Sequence, residues 1–250
     1  MSLGLLDSAA RISEQVRGDL SNHGHATTIA SAMFCATTWP ELVLGDLEGL
    51  ERDSTELVAY CVDKKVEQIR LLARFHRAFA RAMRDPTADN IDTQRSALDA
   101  VRSAGGNVGN SLAISKLAEV SLKAGDWKSA ETDLADGFGF VEQSGEQYWL
   151  ADLHRLSGQL ALRRPMPDPA RAEACFAKAI EVARNQDARL LELRAAIDLA
   201  HLWREIRPDD RDLHALLQPI LTAIEGGETT RDVRNARSLL DGEPIDWEAC

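Results

Sequence analysis

Residues 153–183 read LHRLSGQLALRRPMPDPARAEACFAKAIEVA, and this stretch decides the fold. Its first half carries Leu153, Leu156, Leu160 and Ala161 three and four apart; its second half carries Phe176, Ala179, Ile180 and Ala183 in the same way. Apolar residues at that period line one face of a helix, whereas a strand would alternate. Between the halves, Asp168-Pro169 reads as an N-cap followed by a proline in the first turn, where a missing N–H costs nothing. Gly158 stands where the two helices must come close, and a short side chain permits that approach. The stretch is a helix hairpin, with Ala172, Phe176 and Ala179 on its second helix.

The same arrangement recurs on both sides. Residues 112–140, LAISKLAEVSLKAGDWKSAETDLADGFGF, put Ala118 in a first helix, Gly125-Asp126 in the turn, and Ala130, Leu134 and Gly137 on a second. Upstream, Ala78 is followed by Asn90, Gln94 and Ala97; downstream, Ala200 is followed by Leu213, Leu217 and Ile220. The small residues at 78, 118, 158 and 200 are separated by 40, 40 and 42 positions. One hairpin cannot bury its apolar face alone, so hairpins in phase imply stacking. The expected fold is all-α: a right-handed α-solenoid of about six hairpins in one domain over 1–250, with repeats near 24–63, 66–104, 109–143, 147–185 and 188–224. Terminal helices are expected at 4–20 and 229–241. Trp39-Pro40 should end or kink the helix holding Phe34 and Cys35. Leu6, Ala9, Ile12 and Val16 form a stripe with no preceding hairpin to cover it. The chain therefore reads as a piece of something longer, with an amino-terminal cap as the other reading, and an uncovered stripe favours a homodimer through a repeat end.

Composition narrows the function. Acidic residues outnumber basic ones, 40 to 29, for a net charge of −11. A nucleic-acid or anionic-membrane binder needs a broad positive field, so neither partner is expected. No segment approaches a membrane span or a secretory signal, and Cys35, Cys61, Cys175 and Cys250 lack paired spacing, which points to a reduced, cytoplasmic protein. The first three thiols are expected to be buried on apolar faces.

Gly125, Ala130 and Leu134, and Gly158 with Ala172, Phe176 and Ala179, resemble tetratricopeptide repeats, although the step is longer than the usual one of that class. More specifically, YWLADLHRLSGQLAL, DPARAEACFAKAIEVARNQDARLLELRAAIDLAHLW and TTRDVRNARSLLDG resemble the carboxy-terminal helical region of large bacterial regulators that carry nucleotide-cyclase-type or ATPase modules elsewhere. The resemblance spans residues 145–242 closely and departs from the plain repeat at Asn90 and around Arg164–Pro167. It implies a regulatory, protein-interaction arm of a signalling or transcription-control protein, without the parent's catalysis.

The residues themselves point the same way. No phosphate-binding loop with a terminal lysine occurs, and Gly105-Gly106 with Gly109 falls between helices as a turn. His23 and His25 lack a third ligand, and His154 lacks a nucleophile beside it, so no cofactor, metal or catalytic residue is assigned. In a stacked-hairpin solenoid the first helices line a concave face. The spacing puts Phe75, Phe79, Glu119, Arg155, Gln159, Arg194, His201 and Arg204 on it, apolar at one end and basic at the other. This groove suits a protein or peptide, and Arg155, Arg194 and Arg204 suit a small anionic ligand, unless they are ordinary arginines paired with Asp152 or Asp198. A small-ligand sensor, and more remotely a helical enzyme, remain as rival readings.

Overall fold

The computed structural model describes residues 4–19, 24–106, 109–206 and 213–243. Those residues are all-helical: apart from one isolated bridge between Leu5 and Glu225, no β-structure occurs among them. Thirteen α-helices follow in order: α1 (Leu6–Asp19), α2 (Ala26–Met33), α3 (Trp39–Leu44), α4 (Leu47–Lys64), α5 (Glu67–Arg84), α6 (Ala88–Ser103), α7 (Asn110–Lys123), α8 (Trp127–Ser144), α9 (Leu150–Arg163), α10 (Pro169–Asn185), α11 (Arg189–Ile206), α12 (Leu213–Thr222) and α13 (Arg231–Leu240). Side-chain caps fix several starts. Asp46 accepts from the Gly49 N–H, Asp126 from Ser129 and Asp168 from Arg171, each satisfying a donor the helix leaves open.

Trp39-Pro40 does not end its helix. A π-helical turn, Phe34–Thr38, joins α2 to α3 without a break. The Trp39 N–H reaches back to the Phe34 carbonyl, and the wider turn makes room for a proline ring that clashes inside a regular helix. Thr37 Oγ1 donates to the Met33 carbonyl at 2.7 Å, and Thr38 Oγ1 to that of Phe34 at 3.3 Å.

The chain divides into two compact units, one of Ser8–Ala130 and one of Glu131–Cys250 together with Met1–Asp7. In the Ser8–Ala130 unit, α4 packs on α5, α5 on α6, and α5 also meets α7. One core cluster holds Ala30, Leu57, Cys61, Val66 and Ala73. Ala78 and Ala118 are buried. Of the three internal thiols only Cys61 is buried; Cys35 is exposed and Cys175 half-buried, because the faces carrying them are not the packed ones. In the other unit, α9 packs on α10 and α10 on α11, while α11 also meets α9, α12 and α13. Gly158 is buried against Phe176: a Cβ there would overlap Cε1 of the ring and lie 2.7 and 2.9 Å from Cδ1 and Cζ. Ala172, Phe176, Ala179, Ala183 and Ala200 are fully enclosed.

Candidate functional site

The face nominated from the sequence is largely filled. Phe75 and Phe79 retain only 4% and 2% of their accessible surface. The Lys116 ammonium sits 5.5 Å from the centre of the Phe79 ring and 2.6 Å from Glu119 Oε2. A lysine this buried needs both the carboxylate and the ring to offset lost hydration.

Arg155 and Arg194 do not converge on an open anion site; both are buried and neutralised by the chain's own carboxylates. Arg155 Nε donates to Asp152 Oδ1 at 2.8 Å and its Nη1 to Asp198 Oδ2 at 3.3 Å. The Trp149 indole N–H donates to the other Asp152 oxygen at 3.0 Å, and Gln159 Nε2 donates to Asp198 Oδ2 at 2.8 Å. Burial pushes the Asp198 carboxyl up, against the opposing pull of Arg155 and Gln159. Arg194 Nε donates to Asp232 Oδ2 at 2.8 Å. Arg204 remains partly exposed and donates to the carbonyls of Glu243 and Gly242. His201 lies 3.6 Å from Glu205, and burial lowers its pKa. These contacts cross from α9 to α11 and from α11 to α13, so the polar residues tie helices together.

A second polar cluster lies in the Ser8–Ala130 unit, around residues the sequence did not single out. Glu41 on α3 and Asp53 on α4 are both buried and stand side by side. Burial, with Asp53 beside it, pushes the Glu41 carboxyl up to about 8, so at neutral pH it keeps its proton. Asp53 is held low, because the Arg52, Glu41 and Arg17 groups together outweigh its burial. Arg17 on α1 bridges the two, with Nη2 donating to Glu41 Oε1 at 3.2 Å and Nη1 at 3.1 Å from Asp53 Oδ2 in an ion pair without hydrogen-bond alignment. Arg52 Nε donates to Asp53 Oδ1 at 2.7 Å.

The π-helical turn positions a third group. His76 is buried, stacks on Phe34 with ring centroids 4.9 Å apart, and has its Nδ1 3.1 Å from Thr38 Oγ1. Which of the two atoms donates is set by the imidazole tautomer. Burial drops the His76 pKa to about 3, so the ring is neutral.

Two open clefts lie in the Glu131–Cys250 unit. One, of about 210 Å³, runs between α8, α9 and α10; Leu134, Phe138 and Leu160 form its apolar part, and Glu131, Arg164 and Arg171 its charged rim. Arg164 pairs with Glu131 across it at 2.5 Å. The other, of about 400 Å³, lies between α12 and α13, around His214, Gln218 and Arg237. Neither is lined by Phe75, Phe79, His154 or His201. His154 instead packs on the Phe138 ring at 5.0 Å, and burial lowers its pKa. His23 lies outside the described residues. Among the described residues no three His, Cys, Asp or Glu side chains are placed to hold a metal ion, and no helix is long and apolar enough to cross a membrane. Comparison of the chain with protein-family models, curated proteins and solved structures returns no match in any of the three.

Proposed function

We propose that the chain is a tetratricopeptide-like solenoid of stacked helix hairpins that works by binding rather than catalysis, as the protein-interaction arm of a bacterial signalling or transcription-control protein. The partner segment lies in the cleft between α8, α9 and α10. The observation that carries this reading is the cleft's make-up: a half-buried Phe138 backed by buried Leu134 and Leu160, under a rim of Glu131, Arg164 and Arg171. An apolar anchor seated among charges that fix its orientation is how a short protein segment is held. The buried arginines of α9 and α11 support the same assignment from the other side, since their charge is already met by Asp152, Asp198 and Asp232. Recognition then falls to Arg171 on the outer surface, which favours an apolar residue followed by an acidic one.

The test is a benzophenone side chain in place of the exposed Ala135 at the cleft, with one in place of exposed Glu56 on α4 as control. Cross-linking of a protein from cell extract at position 135, its loss on Arg171→Glu, and none at position 56 are expected. Equal products at both positions, or insensitivity to the Arg171 reversal, would sink the proposal.

A further inference from the structure

We propose that the turn between α12 and α13 is a peptide-binding site for a segment reading Gly-x-Leu-Asp at the start of a helix, and that Gly4–Asp7 occupy it as an internal ligand. This goes beyond the cleft between α8, α9 and α10 and does not depend on it. Each position of the segment meets a distinct feature. The Glu225 N–H donates to the Gly4 carbonyl at 2.7 Å, and the Leu6 N–H donates to the Glu225 carbonyl at 3.0 Å. The backbone of Leu5 between them is bridged to Glu225, while the residue as a whole is 45% exposed. Leu6 is buried over Gly227, whose missing side chain makes its room: a Cβ there would overlap Leu6 Cδ1. Gly4 is confined less severely, since a Cβ on it would lie 3.1 Å from Arg189 Cβ and 3.3 Å from Ile224 Cγ1.

The aspartate is read by backbone. Gly226 and Gly227 have φ of +73° and +74°, a left-handed pair that side chains resist. Successive N–H groups in such turns form a concavity for anions, and the Gly227 N–H donates to Asp7 Oδ1 at 2.9 Å. Main-chain pairing for affinity with alternate side chains for specificity is the logic of added-strand peptide recognition. The four docked residues belong with the Glu131–Cys250 unit, while the helix they open continues in the Ser8–Ala130 unit, and Asp7 is 220 residues from the amide it meets. To its recipient the segment is a short linear motif delivered from elsewhere in the chain. The partner it fits is a protein whose helix begins with the same small-x-Leu-Asp chemistry. A segment held in the same chain competes with any outside one, so an outside segment binds only once the resident one is displaced.

The experiment uses the full chain with Leu6→Asp and Asp7→Ala to vacate the site, and a fluorescein-labelled synthetic peptide of residues 1–19 as the probe. Anisotropy is expected to report binding at least roughly tenfold tighter to the vacated chain than to the unaltered one. Adding Gly227→Val to the vacated chain should abolish it, as should Leu6→Ala in the peptide. If the double variant loses helical circular dichroism, Leu6→Ala alone vacates the leucine seat and the same comparison applies. Binding no tighter than to the unaltered chain, or binding that survives Gly227→Val, would overturn the assignment. So would a concentration-dependent dimer of the unaltered chain that Gly227→Val abolishes, because the occupant would then be a second copy.

Discussion

Gly158 and Gly139 are both helical glycines, and replacing each by alanine should move stability in opposite directions. At Gly139, on α8, nothing lies within 4 Å of an added Cβ. Alanine there removes backbone freedom from the unfolded chain and should stabilise by about 0.5–1 kcal/mol. At Gly158 the same gain meets the Phe176 ring, with added-carbon distances of 2.7 and 2.9 Å to Cδ1 and Cζ. Comfortable carbon–carbon contact begins near ~3.5 Å, so the ring must retreat by nearly an ångström. It has nowhere to go: Phe176 is fully buried, between Ala172 and Ala179 on the same helix face. Overpacking of this kind costs about 1–3 kcal/mol, which exceeds the propensity gain. Gly158→Ala should therefore destabilise by roughly 1–2 kcal/mol, and Gly158→Leu by more. Urea titration followed by far-ultraviolet circular dichroism measures both substitutions against the parent. Adding Phe176→Leu to Gly158→Ala should recover part of the loss, since the shorter side chain vacates the contested space. If Gly158→Ala stabilises as Gly139→Ala does, the close approach of α9 and α10 is not what selects glycine there.

Buried ion pairs and titrating groups supply the other predictions. Asp198→Ala leaves Arg155 short of a carboxylate inside the protein, and Arg194→Glu sets a second carboxylate against Asp232; each should cost about 3–5 kcal/mol in the same titration, whereas Arg204→Ala should cost under about 0.5. A small effect of Asp198→Ala would mean water reaches Arg155. Glu41 has its folded pKa raised from 4.5 to about 8, so the folded state holds a proton that the unfolded chain releases, and stability should fall as pH rises across that window, by at most ~1.4 kcal/mol per unit. His76 works in the opposite sense: with its pKa lowered from 6.5 to about 3, stability should fall as pH drops between those values. The two slopes oppose each other between 4.5 and 6.5, and Asp198, also pushed up by burial, adds to the fall with rising pH, so the Glu41 share is the difference between the profiles with and without its carboxyl. Glu41→Gln should remove that share, and a profile unchanged by it would show that Glu41 is already ionised at neutral pH.

Much of the fold was legible along the chain, because a helix is a local object. The three-and-four spacing around Leu153 and Phe176, the cap at Asp168 and the alanine-rich hairpins each reflect interactions within a few residues, and the helices formed there lie close to their expected places. The burial of Ala78, Ala118, Gly158 and Ala200 was legible for a related reason, since a small residue recurring once in each hairpin has a steric meaning where two helices must come close. Asp152 and Asp198 could be named as partners for the arginines, but not shown to bury them.

What the sequence did not contain was which side of each helix would finally face water. Helical periodicity marks an apolar stripe, and charged residues such as Arg155, Arg194 and Lys116 fall outside it and look solvated. Tertiary packing then covered them, at the cost of a matched carboxylate for each, and five of the nominated residues, Phe75, Phe79, Arg155, Gln159 and Arg194, became part of the interior. The same holds for Glu41 beside Asp53, and for Asp7 on the Gly227 amide. Partners 12 or 220 residues apart leave no periodic trace, because their pairing depends on how whole helices and distant segments come together. Local propensity determined the helices; only three-dimensional packing decided which charges they would have to share.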